Sequence, residues 1–502
     1  MKRVSERFRW IYVAPLLAFI ALLAWAFASP MGASPDDDFH LVSIWCASAS
    51  ADAHCTPGAD AVSRTVPVAL VHSGCFVPDP KKSAACQLTS VDFNPTHTVS
   101  TQRGNFVGGY PPVYYAVMGL FVGPNILVSV IVMRIVNIVV FLGLATATFA
   151  LLPARRRATF VWPWLVTTIP LGIYLIPSNN PSSWAITGVG VAWIGLIAWF
   201  ETTGKRRVGL GLIFALATLV AAGSRGDGAI YTALGIAVVL GLQYRPTKGF
   251  FVGSILPVTL LLLCAYFFIS AQQVISGLNG FGGPPSASGG GAPDPTALIA
   301  FNLLNVPTLW AGVFGSWGLG WLEVLMPSIV AFGSLACFLV VAIVGFAKLT
   351  LRKAVAVAIV GTALVVIPVF VLTRGGDLVG SEVQPRYLLP LIIFFAGLLM
   401  LDAGERLVRF TRGQVMLVAI TLAVVQFIAL QVTMRRYVTG TSDHGWNLNA
   451  NIQWWWTMPF SPMFVLIVGS IAYGALVWII AREVTVGRSA RNALLSVGTV
   501  AT

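Results

Sequence analysis

The chain has 502 residues, of which 57% are hydrophobic and only 10% are charged, and its mean hydropathy is +0.83. Soluble domains carry about 25% charged residues, so this composition excludes a soluble globular protein and indicates a polytopic membrane protein. The net charge of +13 does not indicate a nucleic-acid partner, because the basic residues sort by side of the membrane and form no basic patch.

Apolar segments between charged clusters predict about twelve transmembrane helices, since one span needs about 20 residues. The predicted spans begin near Trp10, Ile126, Phe160, Trp184, Val208, Ala229, Phe250, Val324, Ala354, Arg386, Gln414 and Ser461. With the N-terminus inside, 21 of the 31 lysines and arginines are cytoplasmic and nine are outside, while 13 of the 18 acids are outside. This asymmetry predicts a multi-pass protein of the cytoplasmic membrane.

Six regions follow from the spans. They are 1–29, the cytoplasmic N-terminus and first span; 30–125, an extracytoplasmic loop with acids, disulfides and an interfacial helix; 126–270, spans; 271–323, a glycine-rich extracytoplasmic loop with a re-entrant segment; 324–481, spans with short extracytoplasmic loops; and 482–502, a cytoplasmic tail. The first apolar segment lacks a small-x-small cleavage site, so it is interpreted as a span and not as a signal peptide.

The six cysteines divide between two environments. Cys46, Cys55, Cys75 and Cys86 lie in the first extracytoplasmic loop, whereas Cys264 and Cys337 lie in spans. Four cysteines close together in an extracytoplasmic loop predict two disulfides, with three pairings open. A zinc site is the alternative, but the spacing contains no CxxC pair.

Three carboxylates and an imidazole, at Asp36, Asp37, Asp38 and His40, stand where the chain leaves the first span. Like charges this close raise one another's pKa, so the cluster requires a cation, a metal ion or a proton from a substrate. The cluster is therefore a candidate catalytic site. The alternative is structural, because Ser-Pro-Asp is also a good turn and helix N-cap.

Several arginines fall on the same extracytoplasmic face as these acids. They are Arg225, Arg374, Arg386, Arg435 and Arg436. Guanidinium groups bind phosphate oxygens through paired, charge-assisted hydrogen bonds, and a neighbouring carboxylate can remove a proton from an acceptor hydroxyl. The combination favours a lipid-linked phosphate substrate. Arg225 with Asp227 also fits a plain ion pair, and Arg386 also fits a residue that snorkels from a helix end.

Four short motifs occur in order along the chain. They are Pro35-Asp36-Asp37-x-x-His40, Gly109-Tyr110-Pro111-Pro112-Val113-Tyr114-Tyr115, Asn180-Pro181-Ser182 and Gln384-Pro385-Arg386-Tyr387-Leu388-Leu389-Pro390. In this order, over about residues 10 to 480, the chain resembles a bacterial family of predicted membrane proteins of unknown function that is placed in the GT-C glycosyltransferase superfamily. Asp37 stands where that family usually has Glu, and Pro385 where it often has Gly.

The resemblance implies an all-α, GT-C-like bundle of about 12 membrane helices with an extracytoplasmic active site. It implies Asp37 or Asp36 as the general base of an inverting transfer, with Asp37 preferred, and His40 as a residue that orients the base or contacts the acceptor. Arg386, helped by Arg374, is expected to bind the donor phosphate. The other candidate substrate-binding residues are Tyr387, Tyr110, Tyr114, Asp38 and Arg225.

The implied donor is a polyprenyl-phosphate sugar and the implied acceptor is a cell-envelope glycan or glycolipid, with membrane lipid as the surroundings. No cofactor is expected to be required. Mg²⁺ or Mn²⁺ on the three aspartates is the alternative, which a monophosphate donor needs less than a pyrophosphate does. The composition, rich in alanine, valine and glycine, favours an actinobacterium, where the enzyme would be an arabinosyltransferase or mannosyltransferase.

Three other functions stay open at this point. A transporter or flippase of lipid-linked saccharides would place polar residues in mid-membrane, where Arg134 is the clearest candidate, but the chain has no internal repeat. A polymerase or ligase of lipid-linked glycans would use pyrophosphate donors. A non-catalytic scaffold of the cell envelope would need none of the acids for turnover.

Overall fold

The computed structural model describes residues 10–271, 294–346, 349–401 and 411–498. The glycine-rich part of the second predicted loop, residues 272–293, lies outside the described residues, as do the basic residues before Trp10. Most of the described chain is helical, which confirms the predicted class in outline. The prediction of an all-α protein is wrong in one respect, because the region between the first two long helices contains a small β-sheet.

The N-terminal part of the chain contains one long helix and then the short elements of residues 29–125, which we call the outer layer. The elements are a 3-10 turn Trp10–Val13, α1 Ala14–Phe27, α2 Asp37–Ala47, a 3-10 turn Ala51–Ala53, β1 Thr56–Pro57, β2 Arg64–Pro67, α3 Val68–His72, α4 Cys86–Thr89, β3 Thr98–Thr101 and α5 Val113–Gly119.

The rest of the chain is built from helices. They are α6 Ile126–Leu151, α7 Ala154–Thr167, α8 Leu171–Leu175, α9 Ser182–Glu201, α10 Gly204–Ala222, α11 Gly226–Gln243, α12 Lys248–Gly253, α13 Ile255–Ser270, α14 Pro295–Ala311 with a π-helical turn Gly312–Ser316, α15 Ser328–Phe346, α16 Leu351–Gly375, α17 Pro385–Leu399, α18 Arg412–Val438 and α19 Pro462–Gly498.

Nine helices in the described ranges are long and apolar enough to cross a membrane. They are Ile126–Leu151, Ser182–Glu201, Gly226–Gln243, Lys248–Ser270, Pro295–Ser316, Ser328–Phe346, Leu351–Gly375, Arg412–Val438 and Pro462–Arg482. Two shorter apolar helices, Ile11–Phe27 and Pro385–Leu399, coincide with two further predicted spans. A multi-pass membrane protein is therefore confirmed, and the number of twelve spans stays a prediction.

The outer layer is held together by two disulfides, Cys46–Cys55 and Cys75–Cys86, which settles the pairing that the sequence left open. Its three strands pair antiparallel in the order β1-β2-β3, with Val66 opposite Val99. The strands form where β-branched residues follow one another, in Arg64–Pro67 and Thr98–Thr101, since such residues suit a half-buried pleated surface.

Helix α9 is the buried centre of the membrane part. Its residues from Ser182 to Ala198 are all buried, against α10, α11 and α17. The backbones approach closely at Gly188, where a Cβ atom would lie 2.4 Å from the carbonyl oxygen of Ala217. Glycine is needed there for the same steric reason that small residues are enriched where membrane helices touch.

The stretch 295–316 is long and apolar enough to span, although the sequence predicts a re-entrant segment in this region. The Asn302 amide bonds with Asp377 and Val379, which follow the end of α16, and Trp310 Nε1 donates to the Leu364 carbonyl, deeper along the same helix. After the π-helical turn, Trp321 returns to the outer layer and donates to the Gly32 carbonyl. Asn302, within the stretch, thus contacts the segment after α16, and Trp321, just beyond the stretch, contacts the outer layer. The re-entrant path stays a prediction.

Candidate active site

The segment between α1 and α2, residues 29–36, has most of its carbonyl groups held by side chains from distant elements; we call it the 29–36 turn. Arg134 donates to Ser29 (2.7 Å) and Pro30 (2.9 Å), Gln87 to Met31 (2.6 Å), Trp321 to Gly32 (2.9 Å), Tyr174 to Ala33 (2.8 Å) and Asn180 to Pro35 (2.8 Å). Buried carbonyls need such partners when no regular ladder supplies them. The turn is thereby fixed from several directions at once.

The backbone of this turn contains an unfavourable conformation that the surroundings enforce. Asp36 has φ 57°, in the left-handed region that residues other than glycine rarely adopt. Gly32 also has positive φ, and a Cβ atom there would lie 2.7 Å from the Gly74 nitrogen. Strain of this kind persists only where the structure over-determines it, and it concentrates at functional sites. The left-handed conformation directs the Asp36 side chain outward, and 31% of the side-chain surface is exposed.

Asp37 points the other way and is completely buried. Its Oδ2 atom accepts hydrogen bonds from the backbone N–H groups of Gly32 (3.0 Å) and Ser34 (3.3 Å). Burial raises the pKa of Asp37 to about 7, against the opposing effects of the Arg134 charge and of these two hydrogen bonds. The position of Asp37 fits a residue that supports the turn, and it does not favour the predicted preference for Asp37 as the base.

Asp36 lies between two guanidinium groups. Its Oδ2 accepts from Arg386 Nη2 at 2.6 Å, and its Oδ1 accepts from Arg103 Nη2 at 2.8 Å. Burial alone would raise the pKa of this carboxyl, but the charges of Arg386 and Arg103 outweigh it and hold the pKa at about 2. Asp36 is therefore ionised, and its negative charge is balanced by the two arginines.

Arg386 is the second residue of α17 and has only 3% of its side chain exposed, so it does not snorkel to the surface. Its Nη2 atom also lies 3.1 Å from the Tyr387 hydroxyl. Its Nε and Nη1 atoms are buried and have no hydrogen-bond partner in the described part of the chain. The guanidinium borders a narrow cleft with a free volume of about 10 Å³, whose walls include Tyr174, Trp317 and Gln384. Unused charged donors beside a cleft suit an anionic group.

His40 is buried beneath the cluster. Its Nδ1 atom lies 3.0 Å from the Tyr115 hydroxyl, and its ring packs edge-to-face on Tyr110. Burial and the nearby arginine charges, Arg386 foremost, outweigh the charge of Asp36 and hold the pKa of His40 well below its usual range, so the imidazole is neutral. Its Nε2 atom is buried and without a partner among the described residues.

The other predicted site residues differ in how near they come to Asp36. Arg225 pairs with both oxygens of Asp227, at 2.8 and 2.9 Å, as the ion-pair interpretation required, and its guanidinium also faces the rings of Tyr110 and Tyr387. Tyr114 is buried against Trp184 in the core below the cluster. Arg374 is exposed in the last turn of α16.

Two residues at the site were not predicted. Arg103 bridges Asp36 and Asp38, and its guanidinium lies 5.9 Å from the ring centre of Trp321. Neither residue belongs to any of the four short motifs or to the candidate residues that the sequence singled out. No local pattern signals them, because their partners lie 65 and 289 residues away in the chain.

A divalent metal was the alternative to metal-independent chemistry. In the described ranges, no group of three or more His, Cys, Asp or Glu side chains is arranged to hold a metal ion. The oxygens of Asp36 that face outward are engaged by arginines, which repel a cation. The residues present therefore do not fit a preformed metal site, and we derive no step through a metal.

Comparison with known proteins gives one family. A family model described as "Predicted membrane protein (DUF2142)" matches residues 19–395, which contain the acid cluster, the turn, Arg103 and Arg386. No curated protein matches the chain.

Proposed function

The chain belongs to this family of predicted membrane proteins, and we propose that it is a GT-C type glycosyltransferase. In this proposal it transfers a sugar from a polyprenyl-phosphate donor to a glycan or glycolipid of the cell envelope. The reaction takes place on the extracytoplasmic face of the cytoplasmic membrane. The anomeric configuration inverts, because a single displacement places the acceptor opposite the leaving phosphate.

One observation carries the proposal. An ionised carboxylate in an enforced backbone conformation pairs with a buried arginine, and two nitrogen atoms of that arginine still have no hydrogen-bond acceptor among the described residues. Asp36 supplies the carboxylate, and Arg386 supplies Nε and Nη1, which have no partner among the described residues. A phosphodiester carries one negative charge on two free oxygens, and each unused guanidinium N–H can donate a charge-assisted hydrogen bond to such an oxygen. The candidate base and the candidate binding site for the leaving phosphate thus belong to the same ion pair.

The proposed step uses the residues in distinct roles. The acceptor hydroxyl oxygen attacks the anomeric carbon, and its proton passes to Asp36. The bond from that carbon to the phosphate oxygen breaks, and the electron pair leaves with the polyprenyl phosphate, whose charge Arg386 stabilises. We propose Asp36 in place of Asp37 as the base, because Asp37 is buried and its Oδ2 is held by the turn. Neutral His40 keeps the cluster in place through Tyr115.

The test is transfer by purified protein in nanodiscs with a panel of radiolabelled polyprenyl-phosphate sugars, with and without EDTA. We expect Asp36→Asn to lower the transfer rate by about 10²- to 10⁴-fold, the usual contribution of a general base. We expect Arg386→Gln to weaken donor binding by about ten- to a hundred-fold, because charge-assisted hydrogen bonding to the phosphate is lost. Transfer by the wild type should survive EDTA.

The matched control is Asp92→Asn, which removes an exposed aspartate of the same layer whose contacts are with His97 and its own turn. This variant should transfer at the wild-type rate. If no donor on the panel is transferred or hydrolysed, while the protein still binds the lipid, the glycosyltransferase proposal fails. Transport of a lipid-linked saccharide or a scaffold role would then take its place.

A further inference from the structure

The two arginines on Asp36 differ in a way that the proposed function does not explain. Arg386 is 3% exposed and stands on the rigid first turn of α17. Arg103 is 45% exposed and follows β3 on an irregular segment. Exposed ion pairs contribute little to stability, whereas a buried pair is costly to break. Of the two partners of Asp36, Arg103 is therefore the one that can leave.

A general base needs a free oxygen towards the proton that it accepts. In the present arrangement both oxygens of Asp36 are engaged, Oδ2 by Arg386 and Oδ1 by Arg103. Arg386 has other donors for a phosphate and need not release Asp36. The partner of Oδ1, in contrast, is half-exposed, so Oδ1 is the oxygen that an acceptor hydroxyl can reach by displacing a partner.

Arg103 also has a place to remain after it leaves Asp36. Its Nε atom contacts Asp38 Oδ2, and the indole of Trp321 lies beside its guanidinium. The indole is itself fixed by its hydrogen bond to the Gly32 carbonyl. A small rotation can therefore uncover Asp36 Oδ1 while the charge of Arg103 stays paired with Asp38.

We propose that Arg103 is a displaceable guard, meaning that its guanidinium covers Oδ1 of Asp36 until the acceptor hydroxyl takes its place there before transfer. The inference rests on the proposed function for the identity of the base. It adds a specificity role, because the guard keeps water from the base until an acceptor arrives. Without it, a water oxygen would attack the anomeric carbon and give its proton to Asp36. The bond to the phosphate would break, releasing free sugar and polyprenyl phosphate.

The guard is tested without any turnover by chemical labelling of carboxyl groups with a carbodiimide and an added amine, read residue by residue by mass spectrometry. Asp36 should label poorly in the wild type. In Arg103→Gln its labelling should rise by about five-fold or more, since one neutralising partner and its cover are gone. Arg103→Lys keeps a charge but not the fork that bridges two carboxylates, so it should give an intermediate value.

Two controls separate the guard from simple unfolding. Arg64→Gln removes an arginine of the same layer that bonds to the carbonyls of Ala61 and Ser63 and packs on Phe106, and it should leave Asp36 labelling unchanged. Asp37, one residue away and fully buried, should stay unlabelled in every folded variant. Equal Asp36 labelling in wild type and Arg103→Gln, with Asp37 protected, overturns the proposal. If Arg103→Gln also exposes Asp37, the Arg103→Lys variant decides.

A second readout concerns the reaction. With a donor that the wild type transfers, Arg103→Gln should raise the ratio of donor hydrolysis to transfer by about ten-fold, and Arg64→Gln should not. An unchanged ratio contradicts the guard even if transfer itself is real. Loss of all transfer in the wild type contradicts the proposed function, while the labelling experiment still reports on the guard.

Discussion

Asp36 and Asp37 are neighbours in the chain, yet the fold gives them opposite environments. Asp36 is partly exposed between two arginines, and their charges hold its pKa at about 2. Asp37 is sealed inside the turn, and burial raises its pKa to about 7. Neighbouring carboxylates with pKa values pushed apart suit separate tasks, and in the proposed mechanism Asp36 is the base while Asp37 supports the turn.

The buried carboxyl predicts a pH dependence of stability. A pKa raised on folding means that the folded state holds the proton more tightly, so the stabilisation is present below about pH 4 and is lost as the pH rises through 7. The side-chain amide introduced by Asp37→Asn mimics the protonated acid, and its oxygen can still accept both backbone hydrogen bonds. Between pH 5 and pH 8, the free energy of unfolding of the wild type should fall by on the order of 2 kcal/mol relative to that of this variant.

The measurement is the midpoint of thermal unfolding in detergent across that pH range. The difference between wild type and Asp37→Asn should grow by a few degrees towards pH 8. Asp79→Asn serves as the control, because the Asp79 side chain is 45% exposed and pairs with a surface lysine. Parallel curves for wild type and Asp37→Asn would show that Asp37 does not carry this proton.

At the residue scale the sequence located the acid cluster and Arg386, but it could not rank the acids. The proposed ranking depends on the left-handed conformation of Asp36, in a turn that six carbonyl contacts from distant side chains hold in place. Those contacts join residues up to 289 positions apart. Asn180 illustrates the gap: its motif was recognised, whereas its bond to the Pro35 carbonyl appeared only in three dimensions.

At the scale of elements, α6 fixes the end of α1 through one side chain. Arg134, the mid-span charge that also fitted a transporter, donates to the carbonyls of Ala26, Ser29 and Pro30 at 2.6, 2.7 and 2.9 Å. The last carbonyls of a helix have no partner within it, and a cation at that end also complements the helix dipole. A charge in a span is thereby explained by capping, and it needs no transport pathway.

Arg134→Met keeps the apolar stem and removes the three donors. We expect this substitution to reduce the free energy of unfolding by about 3 kcal/mol or more, because several buried carbonyls lose their partner. The midpoint of thermal unfolding should fall by several degrees. The unfolding midpoint of Arg134→Lys should lie between those of the wild type and Arg134→Met, because a single ammonium cannot reach all three oxygens as a guanidinium does. Arg352→Met is the control: Arg352 also donates to two carbonyls, of Leu242 and Tyr244, but at an exposed site. Equal losses in Arg134→Met and Arg352→Met would contradict the capping role.

At the scale of the whole molecule, hydropathy predicted the membrane class and most span positions, and the cysteines predicted the disulfide-stapled layer. Hydropathy could not decide the path of residues 295–316, because a re-entrant helix and a spanning helix have the same composition. The difference lies in what the two ends contact. Asn302 bonds with the segment that follows α16, and Trp321 bonds with the turn that carries Asp36, which is the pattern expected of a re-entrant path.

This path makes a prediction about the sidedness of the whole chain. A spanning helix of this length would cover about 33 Å and place Thr296 and Ser316 on opposite faces of the membrane. In the re-entrant path, Thr296→Cys and Ser316→Cys both react with a membrane-impermeant maleimide added outside intact cells. Lys205→Cys, at the start of α10 on the predicted cytoplasmic side, should react only after permeabilisation.

The native cysteines give little background, because four form disulfides and Cys264 and Cys337 are buried. Reaction of only one of the two positions from outside would mean that 295–316 crosses the membrane. Trp321 would then have to reach the 29–36 turn from the cytoplasmic side, which its bond to Gly32 and its contact with Arg103 do not permit. The labelling pattern therefore tests, in one experiment, the orientation of the chain and the placement of the guarded Asp36 on the extracytoplasmic face.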